Sequence, residues 1–182
     1  MSPLSSRPRV LAVVGSLQAR SSNASIIGAL APMLGSGVEV IVTRALHDLP
    51  PFNADFESVD VPDAVTAWRG ELAAAAAVVF ATPEYAFGIA GALKNALDWV
   101  VGSGELVGKP VFLIGASTMA TGASYALEAL ERTLRVMSAE VLGTLSVAHV
   151  RAKLDADGRV TDTATSEALE ALASSIVDRL IA

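Results

Sequence analysis

The 182-residue chain contains no cysteine. This absence excludes disulfides, thiolate catalysis and cysteine-ligated metal or iron–sulfur sites. Histidine is scarce as well, because the chain has only two, His47 and His149, and they lie far apart in the sequence and away from any acidic cluster. We therefore predict no metal site and no histidine-based proton relay. The spacing supports no Ser-His-Asp arrangement either.

Long apolar runs are also missing, although 52% of the residues are hydrophobic. The longest run, residues 72–81, is shorter than the roughly 18–20 residues that a membrane span requires. Residues 1–8 lack the apolar core of a secretory signal, so we predict a disordered lead-in and a cytoplasmic protein without membrane insertion. The net charge of −6 and the lack of a Lys/Arg cluster argue against nucleic acid as a partner.

The sequence does contain a regular alternation of short apolar runs and amphipathic helical patterns. Strands are predicted over residues 10–14, 38–43, 77–81, 110–115 and 141–147, and helices over residues 26–34, 63–76, 92–101, 125–137 and 166–181. This repetition predicts a single α/β domain over residues 9–182, with helices on both faces of a parallel sheet. The first strand is not followed by GxGxxG or by a loop ending in GK[ST]. Five strands without these motifs favour a flavodoxin-like three-layer sandwich, with strand order 2-1-3-4-5.

Three loops rich in Gly, Ser and Thr follow the first, third and fourth strands. In such sheets, ligands bind beyond the carboxyl ends of the strands, so these loops are expected to form one site. The first loop, residues 15–23, joins a glycine turn to hydroxyl side chains at a helix start, where unpaired N–H groups and the helix dipole favour an anion. The same serines are also good helix caps. The spacing alone leaves both interpretations open.

Two of these segments resemble a known family. GSLQARSSN, at residues 15–23, resembles the phosphate loop G-S-x-R-x-x-S-x-N of NAD(P)H-dependent FMN reductases. PEYAFGIAGALKNALDW, at residues 83–99, resembles their P-E-Y-N and P-G-x-L-K-N-A-I-D-W signature. Residues 46–55 and 115–124 also resemble family loops. The resemblance covers residues 9 to 150, and the second signature is its most specific part.

The resemblance implies noncovalent binding of FMN, with NADPH or NADH as the reductant and a quinone or related small molecule as the acceptor. By position, the first loop would hold the FMN phosphate through Ser16, Gln18, Arg20, Ser21, Ser22 and Asn23. The second would run beside the flavin ring through Pro83, Glu84, Tyr85, Ala86 and Phe87. The third would close the other side of the ring through Ser117, Thr118 and Gly122. Because the flavin would carry the hydride chemistry, no catalytic side chain is predicted.

The chain departs from the family pattern at several positions. Gln18 replaces an arginine, which removes a cationic phosphate contact that Arg20 is placed to replace. Ala86 replaces an asparagine and removes a side-chain hydrogen bond. Ala90 replaces the proline before Gly91, and residues 121–123 replace a glycine pair. A lost charge-assisted hydrogen bond is worth about 1.5–3 kcal/mol, enough to weaken FMN binding without abolishing it.

Other conspicuous residues have simpler interpretations. Glu84 is interpreted as fixing backbone or an interface rather than as an acid–base catalyst. Tyr85 and Phe87 are ordinary core aromatics or flavin contacts, and the flanking Pro83 and Gly88 favour the flavin. Lys94 and Asp98 form a surface or interface pair one helical turn apart. Trp99 packs in the core or at a dimer interface.

Three functions remain open from the sequence. The first is an FMN-dependent NAD(P)H oxidoreductase. Because the family usually forms dimers and tetramers, we expect a homodimer or homotetramer, with the apolar helix 92–101 as a contact surface. The second is a flavodoxin-type electron carrier. It is disfavoured because the net charge of −6 in this chain is modest for the acidic face with which flavodoxins usually dock to partners. The third is a family member that binds FMN weakly and acts as a binding or regulatory protein.

Overall fold

The structure, a computed structural model, describes residues 7–57 and 59–182. Its strands are β1 (Arg9–Val14), β2 (Glu39–Val42), β3 (Ala77–Thr82), β4 (Glu84–Tyr85), β5 (Gly88–Ile89), β6 (Pro110–Ala116) and β7 (Glu140–Val147). Its α-helices are α1 (Ser22–Met33), α2 (Asp63–Ala74), α3 (Gly91–Asp98), α4 (Ser124–Val136) and α5 (Thr163–Ile181). Single 3₁₀ turns span Ala45–His47, Ala54–Phe56 and Val150–Lys153.

Five strands form one parallel sheet in the order β2-β1-β3-β6-β7. Counting only the strands of this sheet, the order is 2-1-3-4-5, so the predicted flavodoxin-like α/β fold is confirmed. The order places β1, β3 and β6 side by side in the middle. The loops that leave their carboxyl ends therefore meet at one edge of the sheet.

Alternate residues of the central strands feed two separate cores. Leu11 and Val13 point into a cluster with α2, α3 and α4, while Val10 and Ala12 point into a cluster with α1 and α5. Burial on both faces explains why the strands read as continuous apolar runs rather than as alternating ones. It also makes this a sandwich of three layers with the sheet in the centre.

Helix starts follow local sequence signals. Ser21 caps α1, with its Oγ accepting a hydrogen bond from the Ala24 N–H at 3.4 Å. Asp162 caps α5 in the same way, accepting from the Thr165 N–H at 2.9 Å. Pro32 lies in the last turn of α1, where the predicted disruption is limited to the helix end. None of the helices in residues 7–57 and 59–182 is both long and apolar enough to cross a membrane.

Two details differ from the sequence prediction. The helix predicted to reach residue 101 ends at Asp98 with Trp99 as its C-cap; Trp99 and Val100 are buried in the core, whereas Val101 is 51% exposed. Residues 84–89, predicted as loop, form the antiparallel hairpin β4–β5. The lead-in predicted over residues 1–8 falls mainly outside the described residues, and within them the Pro8 carbonyl already accepts a hydrogen bond from the Glu39 N–H at 2.9 Å.

Candidate functional site

A polar cleft of about 170 Å³ opens where the three loops meet. Eleven of the fourteen predicted site residues line it: Ser16, Gln18, Arg20, Ser21, Ser22, Asn23, Pro83, Glu84, Tyr85, Ser117 and Thr118. The remaining lining residues are Ala116, Val150 and Arg151. Residues separated by more than a hundred positions in the chain are thus gathered by the parallel order of the sheet.

The first loop leaves β1 at Gly15 and runs directly into α1. The Gly15 N–H donates to the Ala81 carbonyl at 2.7 Å, and a Cβ on Gly15 would lie 3.2 Å from Leu93. The loop therefore needs glycine for close packing against α3. Ser16 then turns the chain by accepting from the Gln18 N–H at 3.3 Å. Both interpretations of these serines hold structurally, since Ser21 caps the helix and also lines the cleft.

Asn23 joins the first loop to the third. Its Nδ2 donates to the Ala116 carbonyl at 3.1 Å and its Oδ1 accepts from the Ala116 N–H at 3.2 Å. The side chain is 2% exposed, so this paired contact is held away from water. Asn23 thus fixes the cleft wall at the end of β6, in addition to lining the cleft.

The second loop is a tight hairpin with an unusual turn. Ala86 and Phe87, its central residues, have φ of 49° and 59°. Positive φ at both central positions is the type I′ arrangement, which favours Asn and Gly. Tyr85, at the base of the turn, faces the cleft, while Phe87 is 71% exposed and packs edge-on against Tyr125 with ring centres 5.2 Å apart.

Glu84 ties the hairpin to the third loop. One carboxylate oxygen accepts from Thr121 Oγ1 at 3.0 Å, and the other accepts from the backbone N–H groups of Tyr125 and Ala126 at 2.9 and 3.2 Å. The residue at the α4 N-cap, Ala123, offers no side-chain cap. Glu84 supplies that cap from a distance, and its negative charge is favourable at a helix N-terminus. This contact agrees with the backbone-fixing interpretation.

The third loop is held in place by its own hydroxyl and glycine. Ser117 Oγ accepts from the Met119 N–H at 3.1 Å, which tightens the turn after β6. Gly122 has φ of 59° and its carbonyl accepts from Ser146 Oγ at 2.8 Å. A Cβ there would lie 2.2 Å from that same Oγ, so no other residue fits without rearrangement.

Three predicted residues do not line the cleft: Ala86, Phe87 and Gly122. Ala86 and Phe87 form the hairpin tip, where both are exposed to solvent. Gly122 is buried within the third loop. The structure therefore places these residues as supports of the loops rather than as lining of the cleft itself.

The cleft contains one cation that sequence reasoning missed. Arg151 lies in the 3₁₀ turn after β7, and it lines the cleft together with Arg20. Its sequence position carried no motif, and only the pairing of β7 with β6 brings it near the first loop. Gln18 lines the same cleft as a neutral side chain. Two arginines thus line the cleft in which Gln18 is neutral.

The polar residues of the second signature have mostly structural contacts. Asn95 Nδ2 and Trp99 Nε1 both donate to the Pro50 carbonyl at 2.9 Å, and Asn95 Oδ1 accepts from the Phe52 N–H at 2.7 Å. Trp99 is fully buried and packs edge-on against Phe52 at 5.0 Å. Lys94 pairs with Asp98 at 2.5 Å on the surface. Trp99 therefore packs in the core. Its buried side chain cannot form part of the contact surface that the sequence interpretation assigned to helix 92–101.

The donor set of the cleft suits a phosphate monoester. Two guanidinium groups, several hydroxyls and the first turn of α1, whose N–H groups lack intrahelical acceptors, converge there. The cleft continues past Gln18 and Tyr85 into a second one of about 370 Å³, lined by Gly15, Leu17 and the start of α3. Together the two clefts offer a polar end for the phosphate and a more apolar end for the ring, which fits FMN. In residues 7–57 and 59–182, no group of three or more His, Asp or Glu side chains is placed to hold a metal.

Comparison with known proteins gives a consistent result. The family described as NADPH-dependent FMN reductase matches residues 8–153. An NAD(P)H-dependent FMN reductase of Pseudomonas aeruginosa is 31% identical over 166 residues, covering 89% of each chain. A quinone reductase of Pseudomonas putida is 34% identical over 128 residues, covering 69% of this chain and 68% of its own.

Solved structures include a close match in shape. The flavoenzyme NAD(P)H:(acceptor) oxidoreductase FerB of Paracoccus denitrificans superposes with a TM-score of 0.80. It is 29% identical, and the match covers 96% of this chain and 97% of FerB.

Proposed function

The chain belongs to the NADPH-dependent FMN reductase family, and we propose that it is an FMN-dependent NAD(P)H oxidoreductase acting on quinones or related small acceptors. The chemistry that FMN supplies when bound is hydride uptake from a reduced nicotinamide and return of two electrons to the acceptor. The protein's own part is to bind the phosphate, to wall the ring and to leave one face accessible.

The observation that carries this proposal is the convergence of three separate loops on one cleft. Ser16, Ser21, Ser22 and the two arginines would hold the phosphate, because they provide hydroxyl donors and positive charge. Tyr85, with Pro83, would lie beside the ring. Ser117 and Thr118 would line the opposite wall, while Glu84 and Asn23 hold the loops in register. No side chain in this set is needed as an acid or base.

A spectroscopic and kinetic experiment tests the proposal. Purified protein is titrated with FMN while the visible spectrum is recorded, and oxidation of NADPH and NADH is then followed with a quinone. The proposal expects a bound-flavin spectrum and quinone-dependent turnover. Since donor and acceptor would use one open face in turn, parallel double-reciprocal lines are expected, and intersecting lines would contradict that order. A flavin spectrum without nicotinamide oxidation would instead support the electron carrier, and no flavin spectrum in excess FMN would support the regulatory alternative.

The phosphate subsite has its own test. Arg20→Met is expected to weaken FMN binding roughly tenfold or more, because a charged hydrogen-bond partner is removed. Riboflavin, which lacks the phosphate, should bind the wild type and the variant equally. Arg135→Met is the matched control, since Arg135 lies on α4 outside the cleft and pairs with Glu131, with its side chain 64% exposed. Equal loss of riboflavin binding would show that Arg20 does not act through the phosphate.

We further propose that the chain works in the cytoplasm as a single domain over residues 9–182 and as a homodimer or homotetramer. A groove of about 520 Å³ between α3 and α4 supports the assembly, because the apolar side chains of Ile89, Val101, Val136 and Met137 line it beside the charged Lys94, Asp98 and Arg132. Exposed apolar patches of this kind are common at subunit interfaces. We therefore assign the proposed subunit contact to this groove instead of to Trp99.

A further inference from the structure

Three clefts lie in a row along the candidate site. The phosphate cleft shares Gln18 and Tyr85 with the smaller cleft beside α3. At its other end it merges with a cleft of about 1010 Å³, and the residues common to both are Arg20, Ser21, Ser22 and Arg151. The large cleft therefore adjoins the phosphate subsite, and it shares no lining residue with the cleft at the ring end.

The large cleft is a defined space between α1 and the turn at residues 154–160. The turn is closed by the bridge between Leu154 and Val160, and it touches α1 at Gly158, where a Cβ would lie 2.8 Å from Ser25 Oγ. Gly28 and Ala29 on α1 leave the wall free of large side chains. The volume lies at the upper end of the range of roughly 300–1000 Å³ typical of small-molecule sites.

The charges at the junction can serve either one phosphate or two. Among the ion pairs of the described residues, none involves Arg20 or Arg151. Arg159, further out, is by contrast neutralised by Asp155 and Asp157 at 3.8 and 2.5 Å. Two unpaired guanidinium groups that line both clefts would give each phosphate of a diphosphate one cationic partner.

We propose that the large cleft receives the adenylate half of a flavin dinucleotide, so that the chain binds FAD as well as FMN. This inference rests on the proposed function, because it assigns the phosphate cleft to flavin. Arg20 and Arg151 would face the two phosphates. The hydroxyls of Ser25 and Ser166 are available to the ribose, and the apolar side chains of Met33 and Val160 suit the face of a purine.

The position of the junction favours FAD over the adenylate half of NADPH. A nicotinamide ring must reach the exposed flavin face, whereas the large cleft meets the site at the flavin phosphate. A separate dinucleotide lying in that cleft would have to cross residues that the flavin phosphate already contacts. A covalent extension of the flavin has no such conflict.

A substitution at Gly28 tests the proposal without touching the flavin cleft. A Cβ on Gly28 meets no atom within 4 Å, so Gly28→Phe projects into the large cleft and Gly28→Ala is the matched control. Riboflavin, FMN and FAD are titrated into the flavin-stripped full chain, with quenching of flavin fluorescence as the readout. We expect Gly28→Phe to weaken FAD binding about tenfold or more and to leave FMN within about twofold of Gly28→Ala.

Each remaining outcome has a defined meaning. Equal FAD affinity in the two variants overturns the proposal. If FMN-loaded Gly28→Phe also shows a raised KM for NADPH, the cleft would instead serve the nicotinamide dinucleotide. If Gly28→Phe weakens both flavins, Ala156→Trp on the opposite wall decides by the same FAD-to-FMN comparison. Failure of FMN-loaded wild type to oxidise NADPH or NADH would contradict the proposed function alone, because flavin binding is measured without turnover.

Discussion

At the scale of single residues, the Glu84 side chain makes more hydrogen bonds to distant segments than that of any other predicted site residue. Its carboxylate accepts hydrogen bonds from one side chain and two backbone groups of the third loop and α4. The two loops that would wall the ring are thereby held at a fixed separation. The sequence interpretation of Glu84 as a backbone-fixing residue matches these contacts, although the partner segment, some 40 residues away, could not be named from the sequence.

Glu84→Gln is expected to lower the free energy of unfolding by about 1–3 kcal/mol, because charge-assisted bonds at a helix N-terminus are replaced by weaker neutral ones. Urea denaturation with an unchanged m-value checks this. Glu128→Gln is the control, since its pair with Arg132 is 3.9 Å long with both side chains exposed, and should change stability by less than about 0.5 kcal/mol. An equal effect of the two changes would contradict a capping role for Glu84.

Ala86 departs from the family pattern with a consequence for the backbone. It adopts φ of 49°, a left-handed conformation that asparagine tolerates better than alanine. Ala86→Asn is therefore expected to raise the free energy of unfolding by roughly 0.5–1 kcal/mol, and Ala86→Val to lower it by about 1 kcal/mol or more. Thermal and urea unfolding of the two variants measure this. A stabilising valine would show that the turn is not strained in the way its dihedrals indicate.

At the scale of elements, α3 anchors the segment that follows β2. Asn95 makes two hydrogen bonds to Pro50 and Phe52, and Trp99 makes one more to Pro50. We expect Asn95→Ala to cost about 1–2 kcal/mol in urea unfolding, because it removes the acceptor of the Phe52 N–H and one of the two donors to the Pro50 carbonyl. Lys94→Ala, one residue earlier, removes only an exposed ion pair and should cost less than about 0.5 kcal/mol. The reverse ranking would mean that the surface pair, not the anchor, stabilises this region.

The start of α5 gives the stability a dependence on pH. Hydrogen bonds from the Thr165 hydroxyl and N–H lower the pKa of Asp162 below its ordinary value, with Lys153 adding attraction. The folded chain therefore favours the carboxylate. Its contribution is present above the unfolded pKa of about 3.9 and is lost as pH falls through the lower folded pKa.

Asp162→Asn keeps a capping oxygen and removes the titration. The stability difference between wild type and this variant is expected to be constant from about pH 7 to about pH 5 and to shrink below about pH 4. Urea unfolding at a series of pH values measures it. A stability difference that grows on acidification would contradict a lowered pKa of Asp162 in the folded chain.

At the scale of the whole molecule, the proposed assembly predicts that a charge in the α3–α4 groove dissociates the subunits. Val136 is 78% exposed in the single chain and lines this groove. Val136→Lys is expected to convert the assembly to monomers in light scattering, because it would bury a further cation in a groove already lined by Lys94 and Arg132. Ile181→Lys, an equally exposed apolar residue on α5, is the control. A wild type that is already monomeric, or an unchanged mass for Val136→Lys, would contradict the proposal.

The sequence alone determined the fold class, the strand order and most of the cleft. Apolar runs and helical periodicity depend on local spacing, so the five strands of the sheet were placed within one or two residues of their ends. The resemblance supplied the first loop and the second signature. The three loops follow strands that lie side by side in the predicted order, which is why eleven of the predicted residues meet in one cleft.

Only the tertiary structure decided the contacts between distant segments. The sequence carried no local signal for Arg151 at the phosphate subsite, for Glu84 as the cap of α4, or for Trp99 as a buried anchor rather than an interface residue. The same is true of the hairpin at residues 84–89, whose Ala86-Phe87 turn lacks the usual Asn-Gly. Local sequence sets which element forms, but the parallel order of the sheet determines which loops become neighbours, and those neighbours make the site.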